Sequence, residues 1–238
     1  MQTQIRHNPA FAVARLWLQP HEPVRLEAGS MMAHSAGIRL SADTGGGVME
    51  GFARSIFAGE SFFVTTATAP AHGGWIDVAA VLPGDLMTVD LEPGRPFFVT
   101  KGCWLANSHG TQVTTEWGGM ANLFGGEGGF GLRAAGQGQL LLAVYGALDV
   151  IELGPGDGFV VDTGHVVAYD LGVRFQVRRA VAGQTLSSLT SGEGLVFEFS
   201  GPGRVYLQTR NPAALQQWVT ALMPSQNPRG STLGKLLQ

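Results

Sequence analysis

The chain has 238 residues, a net charge of −3 and one cysteine, which excludes an intrachain disulfide and any long-range pull on a polyanion. Hydrophobic residues make up 45% and charged residues only 14%, against a usual ~25% charged, so part of the surface is expected to lie buried between subunits. The 35 glycines are spread along the chain and point to many turns.

At the start, Arg6 and Arg15 bracket a stretch containing Asn8 and Pro9. It is too short and too polar for the apolar core of a secretory signal. No run of about 18 apolar residues follows anywhere, so no membrane span is expected. A cytoplasmic location is expected, in keeping with the single cysteine.

The first patterned block runs over residues 18–37. Leu18 and Pro20 precede a strand in which Val24 and Leu26 alternate with polar neighbours, the period-two signal of one buried face. Glu27 and Gly29 follow, then Ala33 and Gly37, and a second strand is expected to end near Leu40. Phe52 and Ile56 have helical spacing before the Gly59-Glu60 pair, and Gly74 opens another strand.

This block returns without a gap at residues 91–110 and 153–172, offset by 73 and then 62 residues. Five columns are identical in all three copies. They are Leu18/Leu91/Leu153, Pro20/Pro93/Pro155, Gly29/Gly102/Gly164, Ala33/Ala106/Ala168 and Gly37/Gly110/Gly172. Pro93-Gly94 and Pro155-Gly156 read as the central pair of a type II turn. Pro20-His21 lacks that glycine and is expected to turn differently. The shared Gly29, Gly102 and Gly164 are read as turn glycines with positive φ or close backbone approach, and Gly37, Gly110 and Gly172 as a second set.

The second half of each copy recurs with looser spacing. Gly126-Glu127 and Gly192-Glu193 match Gly59-Glu60, and Gly138 and Gly203 match Gly74. Gln139–Tyr145, Leu195–Phe199 and Val205–Thr209 are further predicted strands. Near the end, Asn211 caps a helix, Pro212 takes its first position and Pro224 stops it. Leu215, Trp218, Val219 and Leu222 form its apolar stripe. The expected organisation is one β domain over residues 1–223. It holds three repeats at about 10–82, 83–149 and 150–210, with the helix at 212–223. Residues 224–238 are expected to form a mobile tail.

A repeat of this length is a supersecondary block that buries its apolar face against its neighbours. Three of them suggest a pseudo-threefold arrangement of small β-sandwiches.

Chemistry is sparse. The histidines at 7, 21, 34, 72, 109 and 165 form no local metal pair and occupy different repeat columns, so each reads as a surface or turn residue. Cys103 has no neighbouring base and reads as a structural thiol. Gly126 to Gly131 match GxGxxG formally, but a dinucleotide site needs a long helix after it, and strand-like sequence follows. The one symmetric ionisable set is Glu60, Glu127 and Glu193. These carboxylates could converge on a cation or a basic partner, although turn or edge roles are the favoured reading. Arg174, Arg178 and Arg179 are too few for a nucleic-acid patch. Catalytic, metal and cofactor-binding residues are therefore none.

The segments LEAGSMMAHSAGI, FAGESFFVTTATA and SGEGLVFEFSGPGRVYLQTR resemble the altered-inheritance-of-mitochondria protein twenty-four family, also described as tryptophan RNA-binding attenuator-like. The resemblance covers about residues 10–212. It implies an all-β fold of three tandem attenuator-subunit-like β-sandwich repeats. It implies no catalytic residues, because bacterial members are mostly of unknown function. Fold likeness to the attenuator does not confer its ligand or RNA.

The expected function is that of a non-enzymatic, self-assembling structural or interaction protein. The expected partners are copies of itself, with a protein partner also open and nucleic acid disfavoured. The alternative is a binding module of attenuator type for a small molecule or nucleic acid, and an enzyme ranks last.

Overall fold

The computed structural model describes residues 1–42, 64–117, 130–179 and 195–223. Strands β1 (Gln2–Arg6) and β2 (Val13–Leu18) lead into β3 (Pro23–Glu27), β4 (Met31–His34), β5 (Arg39–Ala42), β6 (Val64–Thr68) and β7 (Gly74–Ala79). Next come β8 (Leu86–Leu91), β9 (Phe97–Thr100), β10 (Trp104–Ser108), β11 (Thr111–Trp117), β12 (Phe130–Gly136) and β13 (Gly138–Ala143). Last are β14 (Leu148–Leu153), β15 (Gly158–Asp162), β16 (Val166–Asp170), β17 (Arg174–Arg179), β18 (Leu195–Ser200) and β19 (Gly203–Gln208), then helix α1 (Pro212–Leu222). The described residues are thus predominantly β, with one short helix near their C-terminal end. Among the described residues no helix is long and apolar enough to cross a membrane.

The described strands form four sheets, in the orders β1-β2-β7-β4, β5-β6-β3-β10-β13-β8, β11-β12-β9-β16-β19-β14 and β15-β18-β17. The two six-stranded sheets are built alike. In each, three strands from one stretch of chain join three from the next. The joints are β3 against β10 and β9 against β16. Their registers match: Ala106 faces Leu26 and Asn107 faces Arg25, while Ala168 faces Val99 and Tyr169 faces Phe98. The second joint repeats the first with every residue moved on by one repeat in the sequence alignment.

Local detail recurs at the aligned positions. A register irregularity falls between Met31 and Ala33, between Trp104 and Ala106, and between Val166 and Ala168. Such a bulge twists a strand and redirects its side chains. Two columns further down, a short polar side chain closes the turn. Ser35 Oγ accepts the Trp75 N–H at 3.0 Å, Ser108 Oγ accepts the Gln139 N–H at 2.9 Å, and Asp170 Oδ2 accepts the Arg204 N–H at 2.8 Å. In the first two copies the glycine that opens β7 or β13 leaves room for this bond. A Cβ on Gly74 would stand 2.6 Å from Ser35 Oγ, and one on Gly138 only 2.1 Å from Ser108 Oγ.

The Pro-Gly turns are present. Arg95 N–H donates to Glu92 O and Asp157 N–H to Gly154 O, both at 3.1 Å, with Gly94 at φ 80° and Gly156 at φ 90°. The expectation for Pro20-His21 is corrected. Glu22 N–H donates to Gln19 O at 3.0 Å and His21 itself takes φ 59°. The first turn therefore has the same form, with histidine bearing the left-handed conformation. Flanking strands β2 and β3 and the Glu22 carboxylate, which accepts the Gln19 N–H at 2.8 Å, hold it there.

A second correction concerns the strand expected to end near Leu40, together with the same column in the other copies, Val113 and Phe175. Those residues lie inside β5, β11 and β17. The preceding strands stop at His34, Ser108 and Asp170, because the turns at Gly37, Gly110 and Gly172 separate the two. Among the shared glycines, Gly29 and Gly102 have φ 87° and 80°, and Gly37 has φ 90°. Gly110 admits the Gln137 carbonyl, which a Cβ would approach to 2.4 Å. Gly164 sits in a short 3-10 turn at Thr163–His165, against Asn211. Gly172 faces open space.

The core falls into three clusters that follow the chain. One gathers Leu16, Leu26 and Ile76, the next Val99, Trp104 and Leu140, the third Tyr169, Phe197 and Phe199. Leu18, Leu91 and Leu153 are all buried. Helix α1 begins as the sequence indicates, with Asn211 Oδ1 accepting the Ala213 N–H at 2.9 Å. It buries none of its residues, and Trp218 and Leu222 are exposed.

Candidate functional site

Among the described residues, strand β8 has a partner on one side only. Along its other side runs a cavity of about 340 Å³. Residues Met87–Leu91 form one wall, and Phe97, Asp170, Arg204 and Tyr206 form the other. Arg204 and Tyr206 are two apart on β19, so both point to the same face. Asp170 ends β16 and reaches Arg204 with its carboxylate, 2.8 Å from the backbone N–H and 3.4 Å from Nε. The guanidinium carbon lies 5.9 Å from the ring centres of both Phe97 and Tyr206, at the outer limit of a cation–π contact.

Burial pushes the Tyr206 phenol up, and the Arg204 charge offsets part of that shift. The hydroxyl therefore stays protonated at neutral pH and able to donate. The cavity's other polar side chains are Thr88, Asp90, Glu92 and Arg95. What it can do is hold a ligand that carries a hydrogen-bond acceptor or an anionic group.

The matching place one unit earlier is occupied by β1. That strand pairs with β2 from Gln2 against Trp17 to Arg6 against Val13, and β2 is the counterpart of β8. Thr3 Oγ1 donates to Gln139 Oε1 at 3.1 Å, and Gln139 follows its opening glycine as Arg204 follows Gly203. The Met1 nitrogen donates to Glu22, the counterpart of Arg95. The cavity beside β8 is thus the berth that β1 fills beside β2.

A second polar cluster ties β1 down. β2 and β7 set Arg15 opposite Asp77 and Trp17 opposite Trp75. Arg15 meets Asp77 twice, Nε and Nη2 each at 2.8 Å, and Arg6 Nη2 adds a third contact at 2.8 Å. The Arg15 guanidinium also stacks 3.8 Å from the Trp75 ring centre. The hydrogen bonds from Arg15 hold the Asp77 carboxyl below the usual range against the opposing effect of burial, with the nearby Arg15 and Arg6 charges adding. Its lone pairs are spent inside the fold, so this cluster fastens strands together.

Of the residues singled out by sequence, Glu60, Glu127 and Glu193 lie outside the described residues, as do the GxGxxG stretch up to Gly129 and the segment 224–238. Among the described residues no three His, Cys, Asp or Glu side chains converge to hold a metal ion. His34 Nδ1 pairs with the neighbouring Ser35 carbonyl at 2.9 Å, and His165 Nδ1 with the Gln208 carbonyl of β19 at 2.7 Å. Cys103 is buried, and burial, with the nearby Glu27 charge, pushes its thiol up to about 12. Sequence reasoning missed Asp170, Arg204 and Tyr206. One signal was available: Asp170 shares its aligned column with Ser35 and Ser108.

Over residues 3–210 the chain matches the family described as Mitochondrial biogenesis AIM24. An uncharacterized protein of Streptococcus pyogenes serotype M6 is 28% identical over 219 residues, which cover 89% of this chain and 86% of that protein. The X-ray crystal structure of protein SPYM3_0169 from Streptococcus pyogenes superimposes with a TM-score of 0.72 at 28% identity, covering 93% of this chain and 97% of that one. The strand pattern, the length of the match and the shared structure agree, and the chain belongs to the Mitochondrial biogenesis AIM24 family.

Proposed function

We propose that the chain is a non-enzymatic, self-assembling interaction protein, made of three tandem attenuator-subunit-like repeats in pseudo-threefold succession. One observation carries the reading. β4 ends its sheet and exposes Met31 by 38% and Met32 by 54%, whereas the residues in the same aligned columns, Trp104 and Leu105 on β10 and Val166 and Val167 on β16, are at most 1% exposed. An apolar strand left open at a sheet edge is a surface for pairing with another chain. The low charge content supports the same reading. The repeats themselves are supported by the matched joints, bulges and turn bonds. The acidic balance argues against nucleic acid, and a single buried thiol suits a reducing, cytoplasmic setting.

A second reading, a small-molecule binding module, is favoured by the cavity beside β8 with Arg204 and Tyr206 in its wall. Native mass spectrometry of untagged protein tests both. Peaks at integer multiples of 25.1 kDa without added mass support the assembly reading. A reproducible excess mass that disappears on denaturation favours the binding module. A bare monomer at micromolar concentration overturns the first reading.

A further inference from the structure

We infer that β4 of one copy pairs antiparallel with β15 of a second copy, head to tail, in the register Ala33 against Val161 and His34 against Val160. The inference rests on the assembly reading and names its surface. Within the chain, the third strand of one unit pairs with the second strand of the unit before it. β10 does so on β3 and β16 does so on β9. Carrying that rule one step on, the strand that β15 lacks is a β4. Among the described residues both are terminal in their sheets.

The side chains on both edges match this vacancy. On β4, Met31 and Met32 are exposed where their counterparts are buried. On β15, Val160 is exposed, whereas its counterpart Phe98 is buried under the joint with β16. Phe159 and Val161 are only half-buried, while Val24, Leu26, Phe97 and Val99 in the same columns are buried.

Charge points the same way. Sheet edges avoid foreign strands with charges or proline. Every other terminal strand carries a charged residue: Arg6 on β1, Arg39 on β5, Asp90 on β8, Glu116 on β11, Asp149 on β14 and Arg174 on β17. β4 carries neither a fixed charge nor a proline. The one charge on β15 is Asp162, and its carboxylate is already engaged by the Gly164 N–H at 2.8 Å. β4 and β15, the edges that the repeat would join, are thus weakly guarded, as is β1, whose Arg6 is held by Asp77.

The contact uses different surfaces on the two copies. It is heterologous, and it propagates into a ring or an open filament according to the rotation per copy. Each added copy extends the succession by three units.

The test uses the full chain in a Cys103→Ser background, the serine being what stands at the aligned Ser30. Two proteins, His34→Cys and Val160→Cys, are mixed and oxidised gently. A disulfide-linked heterodimer is expected, because directly facing residues bring their Cβ atoms close enough. A Phe11→Cys protein mixed with Val160→Cys serves as the out-of-register control and is expected not to link. In parallel, Met32→Lys and Val160→Lys, both at exposed positions, are each expected to weaken assembly about 100-fold without loss of folding. If wild-type protein assembles but the pair does not link and both lysine variants assemble normally, the edge assignment is wrong and the assembly reading stands. If the wild type is monomeric, both fail. If the doubly substituted chain forms its disulfide within one copy, the edges close on each other and the head-to-tail contact is overturned.

Discussion

Arg15 and Asp77 face each other across β2 and β7, joined by two contacts of 2.8 Å, with the carboxylate only 2% exposed. Because these bonds hold the Asp77 carboxyl below its usual range, its stabilising contribution is complete above the unfolded value of about 3.9. It is lost as pH falls through the lower folded value. The urea midpoint of wild type should therefore fall more steeply below pH 4 than that of Asp77→Asn. Parallel slopes would mean that the pair contributes nothing across that range. Asp77→Ala leaves two guanidinium groups facing each other and should lower the melting temperature by on the order of 10 °C.

His21 holds φ 59° in a turn whose two counterparts use glycine. A side chain in the left-handed region is strained by about 1–2 kcal/mol, part of which glycine returns as greater freedom in the unfolded chain. His21→Gly is expected to stabilise the protein by about 0.5 kcal/mol, read as a later midpoint in denaturant. A loss of stability would show that the histidine has a contact that offsets its strain.

Gly94 and Gly138 separate two reasons for needing glycine. Gly94 has φ 80° and open space around it, whereas Gly138 has φ 139° and Ser108 Oγ where a Cβ would stand. Gly94→Ala should cost about 1 kcal/mol. Gly138→Ala should cost at least 3 kcal/mol, because the bond from Gln139 N–H to Ser108 is displaced as well. Equal losses by denaturant melts would contradict the role given to the serine.

Much of this detail is legible in the aligned columns, and some is not. Leu18, Leu91 and Leu153 and the Pro-Gly pairs announce buried strands and turns because both depend on local sequence. The Pro20-His21 turn was misread because residue preference was weighed against the pull of two flanking strands. Strand partners are non-local, so no spacing in the sequence tells that β3 lies beside β10. The exposure of Met32 is hidden for the same reason: its column reads as core, and only the missing neighbour strand makes it surface. The wall of Asp170, Arg204 and Tyr206 comes from two separate strands, and no short motif joins them.

The Cys103 thiol is pushed up to about 12, against about 8.5 for a free cysteine. A disulfide reagent at pH 8 should leave it unmodified in the folded protein and modify one thiol per chain in guanidinium chloride. Rapid labelling without denaturant would place the thiol at the surface and undo its structural role.

The central claim is that an unpaired edge on this chain is covered by another copy. Light scattering coupled to size exclusion, run on wild type and on Met32→Lys at the same concentration, tests it most directly. The account predicts a wild-type mass at a multiple of 25.1 kDa and a monomeric variant with an unchanged β spectrum by circular dichroism. A monomeric wild type, or a variant that assembles as wild type does, would contradict it.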